Sequence, residues 1–187
     1  VPSLHPEPIV IRRDPDMDVN AEFRHRTQPD QIVAWFGPDF RVTLSSSNAL
    51  SEHRRNTTLA QYIQETVTTR ETTTKQRSNE SFYLFGETYS NEWRQFLYPH
   101  YVRPPCVTCG HDDSVALALG IGNRGSGVQW HVHGPGFSEA LHGRKHWILY
   151  PPPHNNNNNS TIIDYNFDKD QSSRQWMEYV YPTVAVK

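Results

Sequence analysis

The chain has 187 residues, enough for one compact domain with a buried core at ~150 residues per domain. Hydrophobic residues make up 35% and aromatic residues 12%, with 14 Pro and 10 Gly, a lean, loop-rich composition that is too aromatic for wholly disordered protein. Lys and Arg total 18 against 20 Asp and Glu, and the net charge of -2 gives no support to a nucleic-acid or anionic-membrane binder. No apolar run approaches the ~18 residues of a spanning helix, and VPSLHPEPIVI lacks the basic head and small-residue exit of a signal peptide. The expectation is a soluble chain without a membrane span, whose first residue, Val1, leaves room for a removed leader.

In chain order, Ile9, Val10 and Ile11 suggest a short strand, and the charged stretch from Arg12 to Pro29 reads as loop. Ile32, Val33, Trp35 and Phe36 suggest a packed turn or short helix, which Gly37-Pro38-Asp39 ends before an alternating strand at Arg41-Val42-Thr43-Leu44. Thr58 with Gln61 forms a capping-box pattern opening a helix whose apolar face is Leu59, Tyr62, Ile63 and Val67. Glu71 to Ser81 is a polar surface excursion, followed by a strand Phe82-Tyr83-Leu84-Phe85. Ser90 caps a helix carrying Trp93, Phe96 and Leu97.

Val115 to Ile121 is a nearly continuous apolar run that predicts a strand buried on both faces, and Val128 to Val132 predicts another. Ser138 to His142 and Lys145 to Tyr150 predict a strand pair about a Gly143-Arg144 turn, ended by Pro151-Pro152-Pro153. Residues 155–159 are a low-complexity Asn run expected to form a mobile loop. Ser172 with Gln175 caps a last helix presenting Trp176, Tyr179 and Val180. Trp93, Phe96, Trp176 and Tyr179 are expected on helix faces against the sheet, and Tyr83, Phe85, Trp130 and Trp147 in sheet packing. The expected fold class is α+β to mainly β, with helices ahead of a mostly antiparallel sheet, in a single domain over residues 1–187.

Several residues have types and spacings suited to chemistry. On a strand, His131 and His133 point to the same face, as chelation of one metal ion requires, but two imidazoles are half a site. Lys145 is a cation suited to a carboxylate partner, against the commoner alternative of a solvated side chain. Cys106 and Cys109 form a CxxC pattern open to a local disulfide, a redox pair, half a zinc site with His111, or two inert thiols. Asn56, Asn79, Asn158 and Asn159 head candidate N-glycosylation sequons. A phosphate-cradling Gly-rich loop, a hydrolase elbow and an HExxH pattern are all absent.

The stretches SFYLFGETYSNEWRQFLYPH and LGIGNRGSGVQWHVHGPGFSEALHGRKHWILYPP resemble the jumonji-C branch of the cupin superfamily. Weaker similarity begins near Pro8 and includes RVTLSSSNALSEHRRNTTLAQYIQETV, so it covers most of the chain. The resemblance implies a double-stranded β-helix in which iron is held by a His-x-Asp/Glu pair and a distant His, with 2-oxoglutarate reaching a basic residue. It places His131 as the first metal ligand, His133 where the carboxylate normally stands, and Lys145 as the cosubstrate's basic partner.

Replacing the carboxylate by His133 removes a charge that would offset that of iron, and the strands bearing the distal His would lie beyond Lys187. The expectation is therefore an incomplete barrel with a degenerate metal site, no catalytic residue and no resident cofactor, acting through protein contacts or as an assembly component. A protein partner or second chain would complete its sheet. The alternative is an Fe(II)- and 2-oxoglutarate-dependent protein hydroxylase completed by a second polypeptide, or with His142, His146 or His154 as an improvised third ligand. The resemblance also implies the endoplasmic reticulum lumen or a secreted location, with which the four sequons are compatible.

Overall fold

The computed structural model describes residues 8–12, 14–47, 51–68, 81–85, 88–104, 116–128, 131, 136–149 and 171–183. Asp14 opens a 3-10 turn at Pro15–Met17 by accepting from the amide of Asp16 at 3.0 Å, and helix α1 follows at Ala21–Arg26. Gln28 is extended, as a residue before proline must be, and Pro29 begins helix α2, Pro29–Phe36. Gly37 ends α2 with a positive φ of 85°, a conformation that costs a side-chain-bearing residue energy. The segment expected as loop thus carries a helix, whereas Ile9 to Ile11, expected as a strand, is exposed and irregular.

Strand β1, Arg41–Ser45, pairs antiparallel with β2, Arg54–Thr58, so that Arg41 faces Thr58 and Ser45 faces Arg54. Val42, Leu44 and Thr57 turn inward, while Arg41, Arg54 and Asn56 face solvent. The pair is extended sideways by two isolated bridges. Ser45 and Tyr83 exchange both backbone hydrogen bonds at 3.0 and 2.8 Å, and Leu84 does the same with Ile121 at 3.0 and 2.9 Å. The sheet is therefore a two-stranded pair with two single-residue rungs beyond it, open rather than closed into a barrel among the described residues.

Helix α3, Leu59–Thr68, follows β2 directly, and Thr58 accepts from the Gln61 amide at 3.1 Å. The expected reciprocal bond of a capping box is replaced, because Gln61 Oε1 accepts from the Thr57 hydroxyl at 3.0 Å. Leu59, Tyr62 and Ile63 are buried as the period predicts, while the side chain of Val67 lies outside the described set. Tyr62 sends its hydroxyl to the carbonyls of Phe82 and Ile121 at 2.9 and 3.0 Å, tying α3 to both sides of the Leu84–Ile121 bridge.

Helix α4, Asn91–Leu97, buries Trp93, Phe96 and Leu97. Its aromatic face meets α2 and α1, with ring centroids 4.4 Å apart for Phe36–Trp93 and 5.6 Å for Phe23–Phe96. These residues, with Ile32, Val42, Leu44, Leu84, Leu117 and Leu119, make one core. The run expected as a buried strand forms only the single bridge at Ile121 among the described residues, and it buries alternate residues. Leu117 and Leu119 point inward, while Ala116, Ala118 and Gly120 are exposed.

Ser172 and Gln175 form a complete capping box on the short helix α5, Ser173–Gln175. A π-helical stretch, Trp176–Val180, and a 3-10 turn, Tyr181–Thr183, continue it. Ser173 docks this end of the chain, donating its hydroxyl to the Gly125 carbonyl at 2.9 Å, while its amide approaches the Ser46 carbonyl at 3.4 Å. Trp176 is buried as expected, but Tyr179 is 65% exposed because the wider π turn carries it off the Trp176 face. Among the described residues no helix is long and apolar enough to cross a membrane.

Candidate functional site

The chemistry-bearing residues converge on the segment 136–149. It was expected as a strand pair, and it does bend at Gly143, where φ is 73°, but its two arms form no ladder among the described residues. What holds it is a polar network reaching from α1. The Arg24 guanidinium bonds Asp18 through Nε at 2.8 Å and the carbonyls of Ala140 and Leu141 through Nη1 at 3.2 and 2.9 Å. Its Nη2 pairs with Glu139 Oε1.

Glu139 Oε2 in turn accepts from the Tyr101 hydroxyl at 2.8 Å and from Asn20 Nδ2 at 3.1 Å. Asn20 completes a reciprocal pair with the Val102 backbone, at 2.9 Å to its carbonyl and 2.8 Å from its amide. The side chains of Arg24 and Asp18 are only 12% and 8% exposed, so the ion pair is largely shielded and its hydrogen bonds are charge-assisted. Burial, and then the adjacent Glu139 carboxylate, push the Tyr101 phenol pKa up. None of this network is legible in the sequence, because its members come from three separate stretches of the chain, around residues 18–24, 101–102 and 139–141, and share no local pattern.

Lys145 sits beside this segment with its ammonium 4.3 Å from the centroid of the Trp147 ring and 3.2 Å from Ser138 Oγ. The residue as a whole is exposed, yet withdrawal of its charged end from water lowers its pKa. Both of its contacts come from within the same segment, so Lys145 closes a local clasp. Trp147 and Leu149 are 52% and 55% exposed, and Trp147 takes part in this clasp rather than in sheet packing.

The two imidazoles weighed as improvised ligands that can be placed, His142 and His146, each contact a neighbouring side chain. His142 Nε2 lies 2.9 Å from Thr27 Oγ1, a contact in which the ring tautomer decides the donor, and Thr27 Oγ1 also lies 3.0 and 3.1 Å from the carbonyls of Phe23 and Arg24. Burial lowers the His142 pKa, against the opposing effect of its hydrogen bond to the Arg24 backbone. His146 stands edge-on to Tyr181, with ring centroids 6.3 Å apart.

His131 is exposed. His133, His154, Cys106, Cys109, Asn79, Asn158 and Asn159 lie outside the described residues, as do Trp130, the CxxC loop and the Asn run 155–159. Among the described residues no group of three His, Cys, Asp or Glu side chains stands together as a metal site requires. The donor chemistry bears on iron more directly. Between Asp113 and Asp164 the sequence contains one carboxylate, Glu139, and that carboxylate is committed to Arg24, Tyr101 and Asn20. A two-His, one-carboxylate iron site needs an anionic ligand, and among the described residues of this region Glu139 is already committed elsewhere.

No family model matches the chain, and no solved structure matches it. JmjC domain-containing protein 8 of Homo sapiens is 32% identical over 165 residues, an alignment covering 88% of this chain and 57% of that protein. The proteins of the same name from Mus musculus and Rattus norvegicus are 30% and 31% identical, each alignment covering 96% of this chain and 60% of the relative. The chain thus spans less than two thirds of the length of the curated relatives it matches. Over most of its own length it is distantly homologous to JmjC domain-containing protein 8.

Proposed function

We propose that residues 1–187 form a single JmjC-like domain of the cupin superfamily whose metal site is degenerate, and that it acts through protein contacts or as an assembly component rather than by turnover. The observation that carries this is the fate of Glu139. The one carboxylate near His131 and His133 in sequence neutralises Arg24 and fastens the segment to α1. Lys145, the counterpart of the family's cosubstrate lysine, spends its charge on Trp147 and Ser138. Homology over most of the chain and the open sheet support an incomplete double-stranded β-helix with preceding helices.

The exposed side chains of Phe137, Trp147 and Leu149 supply an apolar surface on the same segment, suited to a partner protein or to a second chain bearing the remaining strands. The proposed compartment is the endoplasmic reticulum lumen or the exterior, which would permit a local disulfide between Cys106 and Cys109. The test is native mass spectrometry of the protein from its source, followed by denaturing mass spectrometry and metal analysis of the same sample. A metal-free chain with protein partners is the expected result. Stoichiometric iron together with a second polypeptide supplying the later strands would replace this reading by the Fe(II)- and 2-oxoglutarate-dependent hydroxylase.

A further inference from the structure

We infer that Asn56 carries an N-linked glycan, and that the glycan is added before β2 pairs with β1 and α3 forms. This rests on the luminal location proposed above. Asn56-Thr57-Thr58 is an acceptor sequon, and a transferase of the secretory pathway must read both the Asn56 amide and the Thr58 hydroxyl. In the folded chain Asn56 lies on the exposed face of β2, opposite Thr43. The Thr43 hydroxyl donates to Asn56 Oδ1 at 2.9 Å. That bond orients the amide by its oxygen, and Nδ2 has no hydrogen-bond partner among the described residues.

The finished strand therefore has room for a glycan and keeps the Thr43 bond with one attached. It does not, however, offer the sequon to an enzyme. Thr58 Oγ1 is the cap of α3, accepting from the Gln61 amide at 3.1 Å, and the backbone from Arg54 to Thr58 is held extended in the β1–β2 ladder. The neighbouring Thr57 hydroxyl is buried and bonded to Gln61. One threonine thus serves two purposes at different times, first as the hydroxyl of the acceptor motif and then as a helix cap.

The step requires a lipid-diphosphate-linked oligosaccharide as donor. Asn56 Nδ2 attacks the anomeric carbon and the C–N bond forms as the anomeric C–O bond breaks. The lipid diphosphate leaves with the bonding pair, and one Nδ2 proton passes to solvent.

The experiment directs the full chain into the lumen of a eukaryotic cell with a heterologous leader. Glycopeptide mass spectrometry after enzymatic deglycosylation in heavy-oxygen water then reads each sequon separately. Asn56 is expected to be occupied in the wild type and in Thr58→Ser, and unoccupied in Asn56→Gln and Thr58→Ala. Folded, unglycosylated chain given the transferase and donor is expected to stay unmodified at Asn56, while a peptide of residues 53–60 is modified. An unoccupied Asn56 in the secreted wild type, or modification of the folded chain at Asn56, overturns the inference. Because the leader is supplied, such a failure leaves the compartment untouched. Absence of glycan from all four sequons of the endogenous protein would instead remove the luminal reading.

Discussion

Arg24 and Glu139 are separated by 115 residues in sequence and meet as an ion pair, joining α1 to the segment that carries Lys145. The pair is supported on both sides, by Asp18 against Arg24 and by Tyr101 and Asn20 against Glu139. Removing Arg24 takes the cation from both Asp18 and Glu139 in a shielded place, and removing Glu139 leaves Arg24 with Asp18 alone; each costs more than an exposed salt bridge is worth. Since Glu139 keeps 28% of its side chain in water, Glu139→Gln and Arg24→Met are each expected to cost about 1–3 kcal/mol in urea unfolding. The double variant should fall short of the sum, because both single changes remove the same Arg24–Glu139 contact.

Tyr62 and Tyr101 together give the fold a sensitivity to alkali. Burial is the first cause of the raised pKa of each phenol, with Glu139 a further cause at Tyr101. A raised folded-state pKa means that the folded protein holds its phenol protons while the unfolded chain releases them. Stability is therefore full below the ordinary phenol pKa of 10.0 and falls as pH rises above it toward the folded-state value. Denaturant midpoints measured across that range should drop steeply in the wild type. The drop should flatten in Tyr62→Phe and in Tyr101→Phe, although Tyr62→Phe itself costs about 1–2 kcal/mol at neutral pH, because the part-buried Phe82 carbonyl loses its donor while that of Ile121 keeps the Leu84 amide.

Tyr83 closes over the backbone at Gly120 and Gly122. A Cβ added at Gly120 would lie 2.2 Å from the Tyr83 hydroxyl, and one at Gly122 would lie 2.2 Å from Ser126 Oγ and 2.8 Å from the Tyr83 ring. The tyrosine has little freedom to retreat, since it stacks on Phe85 with centroids 5.4 Å apart and its backbone is bridged to Ser45. Gly120→Ala is expected to cost about 1–3 kcal/mol in thermal or chemical unfolding. Tyr83→Phe in the Gly120→Ala background should recover part of that loss, which would not occur if the cost arose from backbone conformation alone.

Lys145 and Trp147 offer an optical check on the clasp. Lys145→Met takes the ammonium off the indole face, so the tryptophan emission should change while overall stability shifts by less than about 1 kcal/mol. Trp147→Leu should return the Lys145 pKa toward its ordinary value, read by the pH dependence of amine labelling at that position.

The parts of this structure visible in the sequence are those encoded within a few residues. Leu59, Tyr62 and Ile63 on α3, Trp93, Phe96 and Leu97 on α4, and the Ser172–Gln175 box each declare themselves by period or cap. Ile9, Val10 and Ile11 misled because an apolar triplet forms a strand only where another strand pairs with it. The apolar run at 116–121 misled in another way, since Ala118 is small enough to be left in solvent beside buried Leu117 and Leu119. For the candidate site, the types and spacing of His131, His133 and Lys145 were legible, but their competitors were not. That Glu139 faces Arg24, and that His142 is bonded to Thr27, are facts of tertiary structure with no local signature.

On the proposed reading this donor set does not hold iron and 2-oxoglutarate. That reading is tested most directly by calorimetric titration of 2-oxoglutarate into the source-purified protein in the presence of Mn(II), a redox-inert stand-in for Fe(II). No saturable binding is expected up to ~1 mM cosubstrate, and no change when His131 or Lys145 is replaced by Ala. Saturable, metal-dependent binding that is lost in both His131→Ala and Lys145→Ala would contradict that reading.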